Sequence, residues 1–117
     1  MSEQDFAVNV QSEYLFIGGL YKKPDMYLMF GESIRSKYDF GDDATKFFYD
    51  MFELMYKTFS QDFSERSVNT FATMDATRYQ LFTKYKGYKT IKAYMDSANI
   101  DDMRNYYDTI KKYSVLR

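Results

Sequence analysis

The sequence has 117 residues with 16 basic and 17 acidic side chains, no cysteine, no histidine, no tryptophan, and a 21% aromatic share carried by 13 Tyr and 11 Phe. That length suits one domain with one core, and a hydrophobic share of 45% is too high for a disordered chain. Without cysteine or histidine there are no disulfides, no thiolate or imidazole metal centres and no Ser-His-Asp or Cys-His catalysis, and a net charge of −1 supplies no overall field toward nucleic acid or an anionic membrane.

Residues 1–9 are expected to form a flexible N-terminus, and they lack the basic start and apolar run of a signal peptide. No apolar run approaches the roughly 20 residues that span a bilayer, so the expected location is cytoplasmic, in the host if the source is viral. Five glycines and one proline leave few breakers. The expected fold is therefore all-α, a compact bundle of six to seven helices that ends in a helical hairpin. Residues 10–87 form the expected helical head and residues 88–117 the hairpin of the same domain.

The first helix carries Val10, Tyr14, Ile17 and Tyr21 on one face, with Leu15, Phe16 and Leu20 beside them. Gly18 and Gly19 cost up to about 1 kcal/mol each in a helix relative to Ala; a close neighbour or helix termination would explain them. Lys22-Lys23-Pro24 breaks this helix, and Pro24 suits the first turn of a second one. That helix is read from Asp25 to about Ser36, with Tyr27, Phe30 and Ile34 inward and Gly31 as a weak point. Tyr38 to Gly41 is a turn.

The stretch Asp42–Phe59 is the expected centre of the fold. Ala44, Phe47, Met51, Leu54 and Thr58 form one helical row, with Phe48, Phe52, Met55 and Phe59 in a second beside it. A stripe that wide calls for neighbours on both sides. Asp42 or Asp43 caps its start. Asp62 with Glu65 suggests the start of a short helix to Met74, with Val68 and Phe71 inward. Asp75 caps another, with Tyr79, Phe82 and Tyr85 inward, and Gly87 stops it in the left-handed conformation.

A helix from Tyr88 to Ser97 places Tyr88, Ile91, Tyr94 and Met95 together. After the N-cap Asn99, a last helix from Ile100 groups Met103, Tyr106, Tyr107, Ile110 and Tyr113. The short joint makes the two an antiparallel hairpin. Nothing after Tyr113 signals a stop, so this helix is expected to continue into further protein. An apolar hairpin of this kind marks a contact surface, with Ile91, Tyr94, Met95, Met103, Tyr106, Tyr107 and Ile110 as the candidates.

No catalytic, metal-binding or cofactor-binding residue emerges. Gly87-Tyr88-Lys89-Thr90 has the residue types of a phosphate loop but the wrong spacing and no upstream glycine. The carboxylate pairs Asp42-Asp43 and Asp101-Asp102 stand at helix starts and read as caps rather than acid–base pairs. Lys84 to Lys92 mixes bases with aromatics, a single-strand-binding pattern; the reading favoured for it is a solvated junction whose tyrosines face inward.

Several segments together resemble the N-terminal domain of DnaB-type replicative DNA helicases, in an aromatic-rich bacteriophage form. They are Glu13-Tyr14-Leu15-Phe16-Ile17-Gly18-Gly19-Leu20, Asp39-Phe40 before the aromatic helix, Asp62 with the helix through Val68, and Asn99-Ile100 followed by tyrosines and Lys112-Tyr113-Ser114-Val115-Leu116-Arg117. The order holds from Val10 to Arg117. The chain departs from the pattern in its richness in Tyr and Phe and in its basic Lys22-Lys23-Pro24 connection.

The resemblance implies a non-catalytic head and hairpin whose copies self-associate into a collar on a hexameric helicase. That collar would dock the C-terminal domain of primase and, in some systems, a helicase loader. ATP and Mg would belong to the ATPase domain of the full-length helicase, with no cofactor here, no membrane partner and little or no direct nucleic-acid binding. The alternative is a complete small phage-type helical protein that binds a host replication or defence factor.

Overall fold

A computed structural model describes residues 3–115, with side chains from residue 9 onward. Its helices are α1 (Glu3–Lys22), α2 (Tyr27–Phe30), α3 (Ser36–Asp39), α4 (Asp43–Thr58), α5 (Glu65–Thr73), α6 (Ala76–Lys84), α7 (Gly87–Ser97) and α8 (Met103–Val115). Tight 3-10 turns at Pro24–Met26, Gly31–Ser33 and Ile100–Asp102 join some of them, and no strand occurs among the described residues. The all-α bundle is as the sequence implies. The helix number rises to eight among the described residues because the segment after Pro24 is cut into single turns.

The first helix begins at Glu3, within the stretch expected to be flexible, because nothing ahead of Val10 breaks it; residues 1 and 2 lie outside the described residues. It is α1 that forms the hub. Phe16, Ile17 and Leu20 are fully enclosed and Tyr21 nearly so, and α1 packs against α7, α8 and α4. The Tyr21 hydroxyl donates to the Phe48 carbonyl at 2.9 Å, and its ring meets Phe52 and Phe63 edge-on at 5.2 and 5.5 Å. Phe63, in the loop before α5, stacks on Phe52 at 4.4 Å. A loop aromatic carries no periodicity, so nothing in the sequence pattern marked it as core.

The paired glycines are explained by close approach. A Cβ on Gly18 would fall onto the Tyr94 carbonyl of α7, and one on Gly19 would fall onto the Met103 thioether of α8. Along α1, Tyr94 sits by Tyr14 and Gly18 while the Ala98 carbonyl accepts from Lys22, so α7 runs parallel to it. Met103 sits by Gly19 and Tyr107 by Phe16, so α8 runs antiparallel. The two last helices straddle α1 and share almost no contact of their own. The two are antiparallel to each other, as the short loop implied, and both apolar faces turn toward α1.

On α4 the buried side chains are Thr45, Phe48, Tyr49, Met51, Phe52 and Met55. Most of the second row expected from periodicity is therefore inside, but Leu54 and Phe59 are exposed. The single helix expected from Asp25 to Ser36 is interrupted, with Ile34 and Arg35 in extended backbone. A Cβ on Gly31 would meet the Tyr27 ring, and the Gly31 carbonyl accepts from the Tyr49 hydroxyl at 2.8 Å. Tyr38 and Asp39, expected as turn, lie in α3.

Capping follows the side chains closely. Asp42, Asp75 and Asn99 accept from Thr45, Arg78 and Asp101 amides at 3.1, 2.8 and 3.0 Å. Ser64, not Asp62, caps α5; Asp62 sits two residues earlier and accepts from the Ser64 amide at 3.1 Å.

The two glycines separate by what each meets. Gly18→Ala presses on rigid backbone and is expected to destabilise by about 3 kcal/mol. Gly19→Ala presses on a flexible Met103 side chain and gains helix propensity, so its expected cost is at most about 1 kcal/mol. Urea unfolding followed by circular dichroism checks both; equal losses would remove the backbone-contact explanation.

Candidate functional site

The seven residues singled out on the last two helices divide into two groups. Ile91, Met103 and Ile110 are enclosed, at 0–1% exposure. Tyr94, Met95, Tyr106 and Tyr107 are half-buried and packed against the core. Tyr94 stacks on Tyr14 at 5.4 Å and meets Phe48 edge-on at 5.8 Å. Burial and the Asp42 and Glu13 carboxylates push its hydroxyl up to about 12. Tyr107 lies 5.3 Å from Phe30, its hydroxyl 2.6 Å from the Ser33 hydroxyl. The Tyr106 hydroxyl accepts from the Asn99 amide at 3.1 Å.

The structure thus brings the seven together around α1 inside one subunit, rather than on an outward face. Lys89, Lys92, Ala93 and Asp96 of α7 and Arg104, Asn105, Asp108 and Lys112 of α8 are exposed instead. Periodicity identified the apolar stripes, but it does not say whether a stripe meets its own chain or another.

Two interior carboxylates were missed. Glu13 is fully enclosed. It accepts from Asn9 Nδ2 at 2.7 Å, the Gly41 amide at 2.9 Å, the Asp42 amide at 3.4 Å and the Thr45 hydroxyl at 2.5 Å. These four groups donate to its two oxygens, and the positive end of α4 suits an acidic side chain. Asn9 Oδ1 is enclosed with no hydrogen-bond partner among the described residues. The signal was present: Glu13 lies three residues after Val10 and four before Ile17, on the inward face of α1.

Asp39 is the second. Its carboxylate accepts from the Arg35 amide at 2.7 Å, Lys111 Nζ at 3.0 Å and the Ser114 hydroxyl at 2.7 Å. Lys111 also donates to the Ser33 carbonyl. Burial alone would raise the Asp39 carboxyl, but the Arg35 amide, the Ser114 hydroxyl and the Lys111 charge outweigh it and hold the group below its ordinary range. This cluster ties the end of α8 to α3.

Exposed apolar side chains lie elsewhere. Leu28 and Met29 on α2 are 66% and 70% exposed, and Met74 and Tyr79 of the α5–α6 corner are 62% and 49% exposed. Tyr79 thereby departs from its expected inward position. An apolar groove of about 230 Å³ runs between α4 and α6, floored by Phe47, Met51, Leu54 and Leu81. Asp50, Asp75 and Arg78 edge it; burial, then Glu53, raises the Asp50 carboxyl, against the Ser36 hydroxyl and Lys46. A larger cavity of about 480 Å³ opens between α5, α6 and the start of α7. In the Lys84–Lys92 segment, Tyr85 and Tyr88 pack against the core while Lys84, Lys86 and Lys89 are exposed.

No protein-family model, curated protein or solved structure matches the chain. Among the described residues no helix is long and apolar enough to cross a membrane, and no group of three or more acidic side chains is placed to hold a metal ion.

Glu13→Gln puts an amide N–H₂ among donors and is expected to cost about 2 kcal/mol in urea unfolding; a change below a few tenths would deny Glu13 its joining role. For Asp39 the folded pKa lies below the unfolded one. Its contribution is therefore present above the unfolded value, about 3.9, and is lost as pH falls through the folded value. Asp39→Asn is expected to lower Tm at neutral pH, with the gap to the unsubstituted protein closing as the pH drops below about 4. A gap that does not change with pH would contradict the assigned carboxylate partners.

Proposed function

We propose that this chain is a non-catalytic assembly and partner-docking domain of a DnaB-type replicative helicase. The observation that supports the reading is where the resembling residues stand. Glu13 joins α1 to α4, Gly18 and Gly19 admit α7 and α8, Asp39 holds α8 to α3, and Phe40 is enclosed against Tyr49 at 5.2 Å. Residues at joints of this kind are the ones a shared fold would keep. The proposed partners are further copies of the domain and the C-terminal domain of primase, with a loader in some systems.

Because α7 and α8 spend their apolar faces on α1, the proposed contact surface shifts to side chains that are exposed. Leu54 and the α4–α6 groove form one part, and Leu28 and Met29 form another. Such patches are where partners remove apolar area from water. The same closure of α7 and α8 supports a second reading, a free-standing phage-type protein that binds a host factor, since neither helix needs another subunit to cover it.

Sedimentation velocity over two decades of concentration, with and without the primase C-terminal domain, separates the two. The helicase reading expects self-association or complex formation that Leu54→Asp weakens at least tenfold with Tm unchanged. A monomer at every concentration that ignores the primase domain would reject it and leave the free-standing reading.

A further inference from the structure

The cavity between α5, α6 and α7 has a lining unlike that of the core. From α6 it takes Tyr79, Phe82 and Thr83, one helical face at spacings of three and four. From α5 it takes Asn69 and Thr73, also four apart. Lys86 closes the rim, beside Gly87 at the first turn of α7. The Tyr79 ring is half-exposed and makes no ring contact among the described residues.

Of the residues that line this cavity, Lys86 alone is charged. Between Asp75 and Asp96 the chain has Arg78, Lys84, Lys86, Lys89 and Lys92 and no acidic residue. Two of these cations are engaged: Arg78 donates to the Phe71 carbonyl at 2.9 and 3.1 Å, and Lys92 pairs with Asp96 at 3.4 Å. Lys84, Lys86 and Lys89 have no ion-pair partner among the described residues; Lys84 lies over the Tyr85 ring. Lys84 and Lys89 do not line the cavity, and neither does Glu65, whose charge acts on Tyr88.

Lys86 also holds an uncommon backbone conformation, φ 70° and ψ 21°, directly before Gly87 at φ 57°. Glycine adopts this region without penalty and lysine does not. A Cβ on Gly87 would stand 3.0 Å from the Phe82 ring, so glycine here lets the start of α7 settle against the cavity wall. The chain thus places a lysine where backbone energetics favour glycine, at the mouth of a cavity that also contains an uncovered aromatic ring and amide and hydroxyl side chains.

We propose that this cavity binds a nucleotide, with the base on Tyr79 and the phosphate between Lys86 and the N-terminal amides of α7. A volume of about 480 Å³ lies in the range of small-ligand sites. Tyrosine offers a face to any base, Asn69 and Thr83 offer polar contacts at its edge, and lysine with a helix N-terminus suits a phosphate. The shared chemistry is an unstacked base carrying a phosphate, supplied either by a free nucleotide or by a single strand. This departs from the expectation of little nucleic-acid contact. It stands independently of the helicase reading, because either protein could carry such a site.

The test uses ¹⁵N-labelled protein titrated separately with thymidine monophosphate, a short oligothymidylate and inorganic phosphate. Both nucleotide probes are expected to shift the amides of Asn69, Thr83 and Gly87. Tighter oligothymidylate binding identifies a strand as the source, and equal binding identifies the free nucleotide. Tyr79→Ala is expected to weaken binding about tenfold. Lys86→Gly is expected to raise Tm by about 3 °C while weakening binding several-fold, because the substitution removes charge and backbone strain together. Equal shifts from inorganic phosphate alone, shifts confined to other surfaces, or Lys86→Gly and Tyr79→Ala proteins that bind as before would each overturn the proposal.

Discussion

The fold depends on a carboxyl group that has no contact with solvent. Glu13 projects from α1 into the start of α4, and its two oxygens collect amide, carboxamide and hydroxyl donors from both sides. An interior carboxylate is costly unless its hydrogen-bonding capacity is filled. Filling it fixes the rotation of α1 about its own axis, and that rotation decides where Gly18 and Gly19 point. Once they face α7 and α8, the last two helices have only one place to lie.

The closing contacts follow from this arrangement. With α7 and α8 set on either side of α1, the end of α8 arrives beside α3, where Asp39 receives Lys111 and Ser114. The aromatics then pack around polar joints instead of forming a featureless apolar interior. Tyr21 and Tyr49 are enclosed, and each donates its hydroxyl to a backbone carbonyl. Burial raises both phenols well above their ordinary value, so they act as neutral donors and bring rigid bulk with a satisfied polar end.

Much of this was legible in the sequence. Helical periodicity located Phe48, Phe52 and Met55 as core, caps were readable at Asp42, Asp75 and Asn99, and the costly glycine pair signalled close approach. What was not legible was the destination of each apolar face. Tyr94 and Ile110 show the same spacing whether they meet α1 or another molecule. Leu54 and Tyr79 fit inward rows yet are exposed, because neighbouring helices cover only part of α4 and α6. The break at Ile34 and Arg35 was hidden as well: Asp39, which accepts from the Arg35 amide, also holds Lys111 and Ser114, more than seventy residues further along the chain. The cavity beside Tyr79 is likewise a product of helix placement; only its lysines were visible beforehand.

The hub is α1, and two of the surfaces it carries are completed by helices far along the chain. The Gly18–Tyr94 approach and the Lys22–Ala98 hydrogen bond each span 76 positions. On a ribosome, α1 must therefore emerge with its inner face uncovered and stay so until α7 and α8 follow. Local helix formation can precede that moment, but the assembled interior cannot. The native interior is therefore acquired only once α8 has emerged, and shielding of α1 until then becomes a requirement of the topology.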